Sequence, residues 1–246
     1  MGTVLSIDLA YTKVRDFGVC LIEEQGGRPS KVEFIPPEKL ITKPPKAEQC
    51  AQAIHTFCLE QGITIVLLDG PQGWKAPDDG LEHCRICESK LNTPMKTGTK
   101  GEVKPPSSKP FVAFSIAVFK HLVSMGGVLV SDRLITMPAD GGLLVAESFP
   151  SAAWRKLYVL PLSAKRRTED NDKRGRLHVL QKLFGFHVEG FPTHDELSAL
   201  VAGMAGPAIL AGNASGYIAE GEPPRNVDGV IVEGFIINPC FELKTT

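Results

Sequence analysis

Thr64-Ile-Val-Leu-Leu-Asp69 is apolar at every position between its first and last residues. A run this short, with no polar alternation, reads as a strand covered on both faces, which places it inside a sheet with helices above and below. The flanking sequence agrees. Residues 46–61 carry Ala47, Cys50, Ala51, Ile54, Phe57 and Cys58 at helical spacing, and Gly62 stops the pattern. Upstream, 3–10, 17–24 and 31–35 read as strands, with Gly26-Gly27 as a turn, so a β-meander opens the chain. Downstream, helices are predicted over 81–91, 111–125, 150–159, 168–184 and 194–204, and strands over 128–130, 142–147 and 229–237. The expected fold class is α/β: a mixed sheet flanked by helices, in one domain spanning 1–246. Residues 92–110, with four Pro and four Lys, read as an inserted loop, and 206–246 as a C-terminal extension.

Composition narrows the function classes. The chain has 246 residues, 43% of them hydrophobic, and a formal net charge of -1. That is too much apolar mass and too little net charge for disorder, and it excludes a uniformly basic nucleic-acid coat. The apolar start at 3–10 contains Asp8 and has no basic leader, unlike a signal peptide. The longest apolar window, 111–130, is broken by Lys120, His121 and two Gly, so no membrane span and no membrane partner are expected. Six scattered cysteines read as reduced thiols, which points to the cytoplasm.

The chemistry lies in the acids. Asp8, Asp69 and Glu147 each close a predicted strand, and Asp195 opens a late helix. In open α/β sheets, ligands meet the carboxyl ends of strands. Carboxylates gathered there repel one another, and a divalent metal relieves the repulsion, with hard oxygen ligands suiting Mg²⁺ or Mn²⁺. Such ions can clamp the attacking and leaving oxygens of a phosphoryl displacement. Each acid taken alone is equally a turn former or helix cap.

Ser6-Ile-Asp-Leu-Ala10, Leu68-Asp-Gly-Pro-Gln-Gly73, Arg85-Ile-Cys-Glu88, Glu147-Ser-Phe-Pro-Ser151 and His194-Asp-Glu-Leu-Ser-Ala-Leu200 follow one another in order. On these blocks the chain resembles the domain-of-unknown-function 429 family, predicted nucleases with a ribonuclease-H-like fold. The resemblance implies three antiparallel strands, a helix, then strands parallel to the first. It implies Asp8, Asp69, Glu147 and Asp195 as catalytic, metal-binding acids with Mg or Mn as cofactor, and Lys165 and Arg174 as phosphate-contacting residues. Ser198 stands where relatives often carry a second acid on the late helix, which removes one carboxylate from that set.

Other features have plainer readings. Arg85 is a candidate phosphate or carboxylate clamp, with a surface ion pair as the alternative. The charged run 165–176 is either a phosphate patch or a solvated helix face with pairs such as Asp172 with Arg176. Cys84-x-x-Cys87 lacks a second ligand pair and reads as helix packing beside a partly exposed thiol. Trp74 follows the Asp69 loop and is a candidate base-stacking residue, whereas Trp154 reads as core. Walker, dinucleotide-binding, zincin and serine-hydrolase signatures are all absent from the sequence. The expectation is a metal-dependent nuclease acting on a nucleic acid or nucleotide. The alternatives are an actin-like or sugar-kinase-type ATP phosphotransferase and a catalytically silent binding protein of the same fold.

Overall fold

The computed structural model describes residues 2–41 and 43–241. Strands β1 (Gly2–Asp8), β2 (Gly18–Gln25) and β3 (Arg28–Phe34) open the chain, followed by helix α1 (Ala47–Gln61) and strand β4 (Ile65–Asp69). Next come α2 (Ile86–Leu91), the short strands β5 (Lys96–Thr97) and β6 (Val103–Lys104), and α3 (Lys109–Ser124). Strands β7 (Val128–Leu129) and β8 (Leu144–Ser148) lead into α4 (Pro150–Lys156), α5 (Asp170–Phe184), β9 (His187–Val188), α6 (His194–Gly203) and α7 (Gly206–Leu210). The hairpin β10 (Tyr217–Val227) and β11 (Val230–Pro239) ends the described chain.

One large sheet organises these elements in the order β10-β11-β8-β4-β1-β2-β3-β9, with β7 also paired to β8. β1, β2 and β3 form an antiparallel meander. β4 lies parallel to β1, and β8 parallel to β4. A meander extended by parallel strands beyond its first strand is the ribonuclease-H-like sheet that the resemblance implies.

The two faces of the sheet have separate cores. On one, Val4, Ile65, Leu67, Leu144 and Ala146 pack with Trp154 of α4, Leu177 of α5 and Leu200 of α6. On the other, Leu5, Ile7, Val66, Leu68 and Val145 pack with Ile54 of α1 and Phe119 of α3. β4 serves both cores, which is why its sequence shows no polar alternation. α1 ends where Gly62 takes a left-handed conformation, with φ of 65°, and its N–H caps the last carbonyls.

Two segments carry more structure than the sequence pattern shows. Within 92–110, β5 and β6 pair, and the backbone N–H of Thr97 donates to the buried Glu88 carboxylate at 2.8 Å. A single buried acid thereby anchors a stretch whose Pro and Lys content suggested none. In the C-terminal segment, β11 runs parallel to β8 within the main sheet. β10 escaped the sequence pattern because Pro223 and Pro224 interrupt it, and the ladder is irregular there, between Glu222 and Arg225. Among the described residues, no helix is long and apolar enough to cross a membrane.

Candidate functional site

Asp8 and Asp69 are register partners at the carboxyl ends of the neighbouring parallel strands β1 and β4. Side chains alternate across a sheet, so the strand pattern decides where each points. Val4 in β1, and Ile65 and Leu67 in β4, face the α6 side. Asp8 and Asp69 have the same parity and leave the same face. Their carboxyls lie close enough to act on each other. Burial pushes the Asp8 carboxyl well above the usual carboxylate range, repulsion from Asp69 and Asp195 adds to this, and Lys165 opposes it. Burial also raises Asp69, to about 7, with the contact from Asp8 opposing and Glu147 adding repulsion.

Asp195 reaches this pair from above. Thr193 caps α6, its hydroxyl accepting from the Glu196 N–H at 3.2 Å while Glu196 accepts from the Thr193 N–H at 2.7 Å. This start of the helix lies against Gly18, the β2 residue paired with Asp8, and a Cβ on Gly18 would sit 1.9 Å from the Asp195 carbonyl oxygen. Glycine is therefore what lets the helix approach. The Asp195 carboxylate accepts from Lys165 Nζ, which also donates to Asp16 at 2.9 Å. His194 Nδ1 lies 3.2 Å from Asp195 Oδ1, and its Nε2 lies 3.0 Å from the Ser163 carbonyl. The segment carrying Lys165 is thus latched onto the head of α6. Asp16 was not singled out in the sequence, because nothing local marks a partner so distant along the chain.

Glu147 is placed differently. β8 extends to Ser148, and Leu144 and Ala146 face α6, so Ser148 has the parity of Asp8 and Asp69 while Glu147 shares the opposite face with Val145. Ser148, not Glu147, is the register partner of Asp69. Both Glu147 oxygens are engaged: Arg85 Nη2 donates to Oε1 at 2.6 Å, Nη1 donates to Oε2 at 2.7 Å, and the Gln72 N–H donates to Oε2 at 2.9 Å. Burial still raises the Glu147 carboxyl, and the Arg85 charge opposes this. Arg85 itself is 1% exposed and also donates to Glu88 Oε1, from Nε at 3.1 Å and from Nη2 at 3.0 Å. Arg85, the candidate phosphate or carboxylate clamp, is here engaged with two internal carboxylates and is not a surface ion pair.

The remaining expected residues lie elsewhere. Arg174 is exposed on α5, with its guanidinium 4.6 Å from the centre of the Phe191 ring. Asp172 and Arg176 have other partners: Asp172 accepts from the Glu169 N–H at 3.1 Å, and Arg176 Nε donates to the Leu160 carbonyl at 2.7 Å. Trp74 is 8% exposed and packs with Val232 of the terminal hairpin, so it is not available to stack a base. Trp154 is core, Cys87 is buried, and Cys84 is partly exposed.

No group of three His, Cys, Asp or Glu side chains among the described residues is arranged to hold a metal ion. The donor chemistry nevertheless fits a hard divalent cation at Asp8 and Asp69, two adjoining carboxyls whose repulsion a cation relieves. Asp195 and Glu147 already have cationic partners in Lys165 and Arg85.

No protein-family model matches the chain, and no curated protein matches it in sequence. Among solved structures it is similar to Thermus thermophilus RuvC, at 15% identity and a TM-score of 0.39 over 82% of this chain and 91% of that one. It is also similar to T. thermophilus RuvC in complex with Holliday junction substrate, at 13% identity and a TM-score of 0.36 over 83% of this chain and 91% of that one.

Proposed function

We propose that this chain is a divalent-metal-dependent nuclease, related to the domain-of-unknown-function 429 family, that hydrolyses phosphodiester bonds of nucleic acid. The observation that carries this reading is the Asp8–Asp69 pair: two partly buried carboxyls in register at adjacent strand ends of a ribonuclease-H-like sheet. The order of the quoted sequence blocks supports it independently.

Asp8 and Asp69 would hold Mg²⁺ or Mn²⁺. Bound there, the ion would supply Lewis-acid polarisation of the phosphodiester and stabilise negative charge as it develops. Asp195 stands over the pair and orients what enters from the α6 side. Lys165 has an exposed stem, 49% by side chain, and its ammonium is held by two carboxylates at the rim of the site. Exchange of those carboxylates for a phosphate would neutralise substrate charge next to the acids. The buried Arg85–Glu147 pair fixes β8 and the segment after β4, holding Asp69 in register.

The test is a cleavage assay on end-labelled single-stranded and duplex DNA and RNA with Mn²⁺ or Mg²⁺. Cleavage is expected with metal and not in EDTA, and Asp8→Asn should lower the rate by roughly 10²-fold or more, the usual loss when charge stabilisation is removed from a transition state. Cleavage at an unchanged rate by Asp8→Asn, or no cleavage of any polymer, overturns the proposal.

A further inference from the structure

We infer that Ser148 is the third oxygen donor of this site, its hydroxyl joining Asp8 and Asp69 around one divalent cation in the place that sequence reasoning gave to Glu147. The inference rests on the reading of the Asp8–Asp69 pair as a cation site and adds a residue to it.

Three observations converge. The first is register. Asp8 pairs with Asp69 across β1 and β4, and Asp69 pairs with Ser148 across β4 and β8, so the three residues form one row across three parallel strands. Neighbouring strands are about 4.8 Å apart, a spacing at which side chains in one row can share a ligand. The second is face. The residues two and four positions before Ser148 pack into the core under α4 and α6, as do Leu67 and Ile65 before Asp69 and Val4 in β1. Alternation therefore sends all three side chains out of the same face, towards the side that Asp195 occupies.

The third is an unmet group. Ser148 is 1% exposed, and its hydroxyl has no hydrogen-bond partner among the described residues. The other fully buried serines are satisfied: Ser6 donates to the Ala199 carbonyl at 2.7 Å and Ser115 to the Pro71 carbonyl at 3.0 Å. An orphaned buried hydroxyl calls for a specific explanation, of which a bound ion or water is one. A serine oxygen offers two lone pairs and is an established type of ligand for hard divalent ions. Beside a pair of carboxyls that need a cation, it supplies a neutral donor without adding charge repulsion. The Glu147 oxygens cannot take this place, because Arg85 and the Gln72 N–H hold both of them on the other face.

The test is calorimetric titration of the full chain with MnCl₂ and with CdCl₂, without substrate. Ser148→Ala is expected to weaken Mn²⁺ binding about 10-fold or more, in the range seen when a metal's supporting groups are removed. Ser148→Cys is nearly isosteric and keeps the packing. It should raise the Cd²⁺-to-Mn²⁺ affinity ratio about 10-fold or more over wild type, because a thiolate prefers the softer ion. A structural role for the hydroxyl would not move that ratio. Asp69→Asn is expected to abolish Mn²⁺ binding. If Asp69→Asn loses the metal while both Ser148 variants bind as wild type does, the assignment of Ser148 is wrong and the carboxyl pair stands. If the wild-type chain binds no Mn²⁺, both readings fall.

Discussion

The Asp8–Asp69 pair makes a prediction about pH that needs no substrate. Folding raises both carboxyls above their ordinary range, chiefly through burial. Well below the ordinary carboxyl value of 3.8 both acids are protonated folded or unfolded, and they contribute no pH dependence. As pH rises past the unfolded value, the unfolded chain releases protons that the folded chain keeps, so stability falls until the folded value is reached, about 7 for Asp69. Asp69→Asn removes that loss. In EDTA, urea melts should show Asp69→Asn more stable than wild type near pH 7.5, by roughly 1–3 kcal/mol, with the difference closing towards pH 4. A variant less stable than wild type at every pH would mean that the pair is held by compensating contacts and is not strained by its charge. A divalent cation acts in the opposite sense to proton loss, so adding Mn²⁺ to wild type at pH 7.5 should recover the stability that EDTA reveals.

Secondary-structure elements bring the acids to one place, and they differ in how far their positions could be read from sequence. The meander, α1 and β4 were legible because each carries its own periodicity and stop signal. Asp8 and Asp69 were legible with them, as strand-ending acids on central strands. α6 announced itself through Thr193 and Glu196, a local capping pair. The face that Glu147 leaves was not legible because the predicted strand 142–147 stops one residue short of Ser148, and a shift of one residue exchanges the two faces of a sheet. The role of Arg85 was hidden because Glu147 lies far along the chain. That pair ties α2 to β8, and both side chains are nearly inaccessible, at 1% and 3% exposure. Arg85→Met would leave Glu147 and Glu88 buried without their cation and should cost about 3–5 kcal/mol. Glu147→Gln keeps the shape and part of the hydrogen bonding, and should cost less than half of that. Thermal melts of the two variants check the order. Equal, small losses would show an ion pair with no structural weight.

At the scale of the whole molecule, the terminal hairpin determines whether the site is assembled. The segment that leaves β4 after Asp69 bonds little to itself and much to β11. The Gln72 amide donates to the Phe235 carbonyl at 2.9 Å, the Trp74 N–H donates to the Ile231 carbonyl at 2.9 Å, and the Glu233 N–H donates to the Trp74 carbonyl at 2.8 Å. Glu233 adds its carboxylate, accepting from the Ala76 N–H at 3.0 Å and the Ile86 N–H at 3.1 Å. It does so from a backbone with φ of 59°, unusual for a residue other than glycine and maintained by the surrounding bonds. Ile86 begins α2, next to Arg85, so β11 positions the arginine that in turn holds β8. A chain ending at residue 211 would lose all of these contacts and expose Phe235's former neighbours in the core. It should give no cooperative urea transition and should be cleaved by protease at low concentration throughout 70–90. Glu233→Ala tests the same link in the intact chain. It leaves the buried Ala76 N–H and the part-buried Ile86 N–H unmet, at about 1–3 kcal/mol for the buried one and less for the other, and hydrogen exchange should quicken at 72–88 while β1, β2 and α6 keep their protection. If exchange quickens instead across the entire sheet, or not at all, the hairpin does not act through the segment after Asp69.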